Sequence, residues 1–186
     1  MYWMDGKLCR TLKRINMETI FGIISALIFA VYTAVVIYKT GGIPYSISET
    51  YYRLEHPKWF SVCLGLNGFT FFVSAVGRTP ENIQFLVFLA LIGMIIITLS
   101  PRFKERTEGI IHYCGTALLL LSTQAWVACT NPWLLITWLL PIVYIVRHVM
   151  ADNMQSDLWN KIVYARPAFW LEITGFIIIF INLILL

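Results

Sequence analysis

Along the chain, six long apolar runs alternate with short polar breaks, at about 19–38, 59–76, 83–99, 110–128, 133–149 and 168–186. Apolar residues follow one another without the every-other-residue alternation of a barrel strand, so the runs predict helices. Each run holds roughly 17–21 residues, enough to cross a hydrocarbon core of about 30 Å at 1.5 Å per residue. The breaks coincide with helix-ending residues: Gly41-Gly42-Ile43-Pro44, Gly77 to Pro80, Pro101, Asn131-Pro132 and Pro167. Pro141 lies inside the fifth run and is expected to kink it. The second, third and fifth runs are short, which leaves four or five spans as an alternative count. The expected fold is all-α: a polytopic transmembrane helical bundle of about six spanning helices plus short interfacial helices. It forms a single transmembrane domain over residues 1–186 that begins with a basic juxtamembrane segment, 1–16.

Composition agrees with a bilayer as the solvent. The chain is 59% hydrophobic and only 13% charged, against about 45–50% and about 25% for an ordinary soluble domain. Seven Trp, nine Tyr and twelve Phe supply side chains suited to membrane–water boundaries. The net charge of +4 gathers early, in Lys7, Arg10, Lys13 and Arg14, and no extended basic face exists for nucleic acid. An apolar run of about 20 residues follows this cluster with no small-residue cleavage site, so it reads as a retained helix. Six spans put both termini on one face of the membrane, here the terminal face, and the first, third and fifth loops on the other, the loop face. The early basic cluster predicts a cytoplasmic terminal face. Cys9, Cys63, Cys114 and Cys129 form no CxxC pair, and a disulfide framework is not expected.

Two loops carry structure of their own. Ser46-Ile47-Ser48-Glu49 fits the S-x-x-E capping box, which predicts a short helix to about Glu55, before His56-Pro57. From Ala151 to Arg166, Met150, Met154, Leu158 and Ile162 recur at spacing four, with Asp152, Gln155 and Asp157 elsewhere. That predicts an amphipathic helix on the membrane surface, anchored by Trp159.

Glu172 stands out chemically, because it lies about five residues into the last run. A carboxylate inside a span costs on the order of 2.5–3.5 kcal/mol, less near an interface, so it should turn inward and find a partner. Gly175, Ile179 and Asn182 follow it at helical spacing, Cys63, Asn67, Thr70 and Ser74 form a similar stripe in the second run, and His112, Thr116, Thr123 and Gln124 do so in the fourth. Such stripes are either packing seams or pocket linings. His56, His112 and His148 share the loop face, and His112 and Glu172 should lie at similar depth, a usable proton-relay or metal pair. No HxxxH or HExxH spacing supports a metal, and no GxSxG, Cys-His or P-loop motif supplies a nucleophile or phosphate cradle.

Ser46-Ile47-Ser48-Glu49-Thr50-Tyr51-Tyr52, followed by Phe60, Leu64 and Gly68, resembles the S-I-S-x-x-Y-Y loop of a group of bacterial multi-spanning membrane proteins with no assigned activity. His112 with Gly115 and Ala117 is similar to that group's fourth-helix histidine, and Phe169-Trp170-Leu171-Glu172 to its closing F-W-x-E helix. The chain also looks distantly like the DRAM/Frag family of six-span proteins. That likeness implies an extracytoplasmic loop face, and the bacterial group implies an inner membrane. Glu49 departs from the pattern, where a small residue is expected, and the basic tail is missing.

Three functional readings follow. In the first, Ser48, Tyr52, Asn67, His112 and Glu172 line an extracytoplasmic polar pocket that binds a lipid or a partner. The second is a membrane-embedded lipid hydrolase in which His112 and Glu172 activate water, with or without a metal; no cofactor is identified. The third is an oligomeric channel or pore lined by the polar stripes. Expected partners are membrane lipids and further copies of the chain.

Overall fold

The computed structural model describes residues 2–151 and 157–186, with side chains from Met17 onward. The helices are α1 (Tyr2–Thr40), α2 (Thr50–Arg53), α3 (Lys58–Arg78), α4 (Gln84–Leu99), α5 (Arg106–Thr130), α6 (Leu139–Ala151), α7 (Leu158–Tyr164) and α8 (Pro167–Leu185). Six segments are long and apolar enough to span a membrane: Met17–Thr40, Lys58–Arg78, Glu81–Leu99, Arg106–Thr130, Pro132–Ala151 and Pro167–Leu185. Six spans therefore hold over the four- or five-span alternative, and the protein is a multi-pass integral membrane protein. Most spans extend past their apolar runs, because polar end residues such as Arg106, Thr107 and Glu108 stay helical at the boundary. The side chains of Cys9, Lys7, Arg10, Lys13 and Arg14 lie outside the described residues, as do Asp152, Met154 and Gln155 of the expected surface helix. The described part of that loop forms α7, with Trp159 exposed.

Local chemistry shapes three of these segments. Before Pro141 the span changes character: a 3-10 segment, Pro132–Trp138, runs directly into α6, and Pro141 falls in the first turn of α6. The break expected at Gly77 to Pro80 holds, with α3 ending at Arg78, and Gly77 leaves room for the Glu18 side chain of α1. The first loop forms only one helical turn, α2. Ser46 Oγ accepts the Glu49 N–H at 3.0 Å in the turn that leads into α2, whose N-cap is Glu49, and Glu49 Oε2 reaches one residue further back than in the usual box, to the Tyr45 N–H at 2.7 Å.

The bundle packs most closely as α1 on α3 and α4 on α5, with α8 laid across α1, α3 and α5. Two apolar clusters stack along the bundle. One, around Trp126, Phe71 and Ile178, fills the terminal-face half; the other, around Phe60, Ile47 and Phe169, lies beneath the first loop. The backbones of α4 and α5 approach so closely that a Cβ on Gly93 would meet Leu119 N at 2.6 Å and Gly115 O at 2.8 Å. Small residues commonly serve this purpose between transmembrane helices.

Gly93→Ala should therefore lower stability by about 1–3 kcal/mol through overpacking against backbone. Gly65→Ala should be near neutral, since nothing lies within 4 Å of its added Cβ. Equal unfolding midpoints in detergent for the two variants would contradict the close α4–α5 approach.

Candidate functional site

The first loop occupies the end of the bundle where a polar pocket is expected. Its Ile47 side chain is 3% exposed and joins the apolar cluster below, while Thr50 is fully buried. Three of the surrounding spans, α1, α5 and α8, then grip the loop through polar groups. From α1, Tyr32 OH donates to Thr50 Oγ1 at 2.5 Å, and Thr50 in turn donates to the Ile47 carbonyl at 2.6 Å. From α8, Glu172 Oε2 accepts the Ile47 N–H, and the Phe169 N–H donates to the Tyr45 carbonyl at 2.9 Å. The Phe169 contact also satisfies one of the orphan donors in the first turn of α8. That helix starts after Arg166, whose φ of 52° places it in the left-handed region.

From α5, His112 reaches Ser48. The His112 ring lies 2.8 Å from the Ser100 carbonyl through Nδ1 and 3.0 Å from Ser48 Oγ through Nε2. A carbonyl only accepts, so Nδ1 carries the hydrogen; in neutral imidazole Nε2 is then the acceptor for the Ser48 hydroxyl. Phe103 lies beside the His112 ring, and Tyr52 packs edge-on against Phe103. The Tyr52 hydroxyl accepts the Lys104 N–H at 2.9 Å, and Lys104 Nζ sits 4.5 Å from the centre of its ring. The first and third loops of this face are thereby laced together.

Four of the five expected site residues, Ser48, Tyr52, His112 and Glu172, thus meet the same loop or its immediate cover. Asn67 does not join them. Its Nδ2 donates to the Ser25 carbonyl at 2.7 Å and to Ser25 Oγ at 3.0 Å, locking α3 to α1. Nor do His112 and Glu172 act on one another: His112 holds Ser48, and Glu172 holds Ile47. His56 is exposed on the first loop, and His148 stacks on Tyr144 of α6. Among the described residues no three His, Cys, Asp or Glu side chains converge as a metal-ligand set.

The polar stripes resolve partly into seams between helices and partly into bonds within one helix. Ser74 donates to the Glu18 carbonyl at 2.6 Å, Thr116 and Thr123 donate to carbonyls of their own helix, and Trp138 donates to Gln124. Asn182 accepts from Thr130 and Asn131, and Arg78 bridges Thr19 and the Leu183 carbonyl at the terminal face.

One opening adjoins the gripped loop. A cleft of about 330 Å³ lies between α5 and α8, walled by Thr116, Leu119, Thr123, Trp138, Leu171 and Phe176, with Glu172 at its loop-face end. Its volume falls in the range of about 300–1,000 Å³ usual for small-molecule sites. Glu172 Oε2 is committed to Ile47, whereas Oε1 has no hydrogen-bond partner among the described residues. Comparison with family models, curated proteins and solved structures finds no match to this chain.

Removing the Ile47 acceptor with Glu172→Ala should speed amide exchange of the 43–54 segment by about ten- to a hundredfold, as loss of a hydrogen bond to a charged group of about 1.5–3 kcal/mol implies. Glu172→Gln keeps a carbonyl acceptor and should retain most of the protection. Unchanged exchange in the alanine variant, followed by mass spectrometry, would remove Glu172 as the clasp.

Proposed function

We propose that this protein binds an amphiphilic lipid in the α5–α8 cleft. The apolar chain lies along Leu119, Thr123 and Phe176, and a donor in the headgroup, a hydroxyl or ammonium, meets Glu172 Oε1. The observation that carries the reading is a carboxylate with one committed and one open oxygen at the end of an otherwise apolar cleft. Within hydrocarbon such an oxygen is costly unless a donor reaches it. The loop face would be extracytoplasmic, so the lipid would enter from the outer leaflet. The reading is of a binding protein, in which the clasped first loop forms the roof of the site.

Lipid retained through purification and measured by native mass spectrometry tests it. Glu172→Gln should reduce retention of the bound amphiphile about tenfold or more, the scale of a charge-assisted hydrogen bond. Gly175→Leu, which fills the cleft beside Trp138, should reduce it equally while leaving the loop protected from exchange. Wild-type retention in both variants would overturn the proposal.

A second reading rests on a separate observation, the relay from the Ser100 carbonyl through His112 to Ser48. A nucleophile within hydrogen-bond reach of a base that a third group orients is the arrangement of serine hydrolases. Ser48 Oγ would add to an ester carbonyl while His112 Nε2 takes its proton and passes it to the leaving alcohol; water then releases the acyl group from Ser48. A fluorophosphonate probe should label the wild type and spare both Ser48→Ala and His112→Ala. An unlabelled wild type leaves the relay as a clasp for the loop and nothing more.

A further inference from the structure

On the opposite flank of the bundle, α1 and α3 leave a groove of about 490 Å³. Its depth is lined by Ile28, Val31, Val35 and Leu66, with Tyr32 and Cys63 also facing it. Val31, Val35 and Leu66 are 59%, 45% and 53% exposed, so the groove lies open along two spanning helices to the surrounding acyl chains. At the loop-face end its lining changes character. Lys39 in the last turn of α1 stands with Glu55 and His56 of the first loop, and Trp59 flanks them at the start of α3.

Neither Lys39 nor Glu55 has an ion-pair partner among the described residues, although both are exposed at the same opening. Two arginines of this face are paired, Arg53 with Glu49 at 3.2 Å and Arg102 with Glu105 at 3.1 Å. An ammonium and a carboxylate left apart at the mouth of an apolar groove complement a ligand that carries both signs.

We propose that the α1–α3 groove is a site for a phosphoethanolamine lipid, with an acyl chain between Val31, Val35 and Leu66, the phosphate on Lys39 and His56, and the ethanolamine ammonium on Glu55. The site is distinct from the α5–α8 cleft and does not depend on it. Charge decides the headgroup. A phosphoglycerol lipid satisfies Lys39 but offers Glu55 no cation. A phosphocholine lipid brings a cation whose methyl groups donate no N–H hydrogen bond to the carboxylate. Phosphoethanolamine provides a phosphate and an N–H donor together.

Competition in nanodiscs containing equal parts phosphatidylethanolamine, phosphatidylglycerol and phosphatidylcholine, read by native mass spectrometry, tests the proposal. The wild-type protein should retain phosphatidylethanolamine over the other two. Lys39→Ala should cut that retention about fivefold, the size of one lysine–headgroup contact, and Lys39→Arg should restore it. Glu55→Gln should erase the preference for phosphatidylethanolamine over phosphatidylglycerol. Read in a Glu172→Gln background, where the other cleft is weakened, the Lys39 and Glu55 effects should persist. Equal retention of phosphatidylglycerol by the wild type, or Lys39 and Glu55 variants indistinguishable from it, would overturn the site.

Discussion

A carboxylate inside a bilayer can persist only where a donor meets it, and in this protein that donor is the backbone of a loop. Glu172 enters the membrane with the first turns of α8 and takes the Ile47 N–H, while Ile47 sends its side chain into the apolar cluster between α1, α3, α4 and α8. The two partners solve each other's problem, since the loop buries a backbone donor that water cannot reach and the helix carries an acceptor that hydrocarbon will not solvate. His112, Tyr32 and Phe169 make the same exchange at Ser48, Thr50 and Tyr45. The result is a plug of extended chain and one helical turn, seated at the depth where a ligand pocket was expected.

That seating determines where ligands can go. With the end of the bundle filled, the openings beside it lie between helices and face lipid, not water. Both grooves adjoining the plug are apolar along their length and end in ionisable groups at the loop face: Glu172 on one flank, Lys39, Glu55 and His56 on the other. An apolar track that terminates in charge matches an amphiphile in shape and polarity. Of the polar stripes, Asn67 and Ser74 join α3 to α1, whereas Thr116 and Thr123 bond within α5 and face the cleft.

The spans were legible because each is a long run with breakers at its ends, and because a chain with so few charges has no other way to satisfy its backbone. Glu172 was legible as a residue needing company for the same energetic reason. Its partner was not, since a backbone N–H carries no side-chain signature in sequence. Asn67 was misplaced because depth and polarity look alike for a pocket residue and for one that bridges to Ser25; only the direction it faces on α3 separates them. The 3-10 segment before Pro141 carries no sequence signature of its own. Lys39 and Glu55 each resemble the ordinary charged flank of a span, and their place at one groove depends on how the first loop folds back. The pairing of Gly93 with Gly115 likewise depends on the register of two helices.

The claim on which the rest stands is the contact between Ile47 and Glu172 within the membrane. Solid-state NMR on the protein in lipid bilayers, with ¹⁵N at Ile47 and ¹³C at the Glu172 carboxyl, measures it directly. A strong dipolar contact between the two nuclei, together with polarisation transfer from lipid acyl protons to that carboxyl carbon, is the predicted result. A Glu172 carboxyl without coupling to Ile47, and reached by bulk water instead of lipid, would contradict both the clasp and the cleft.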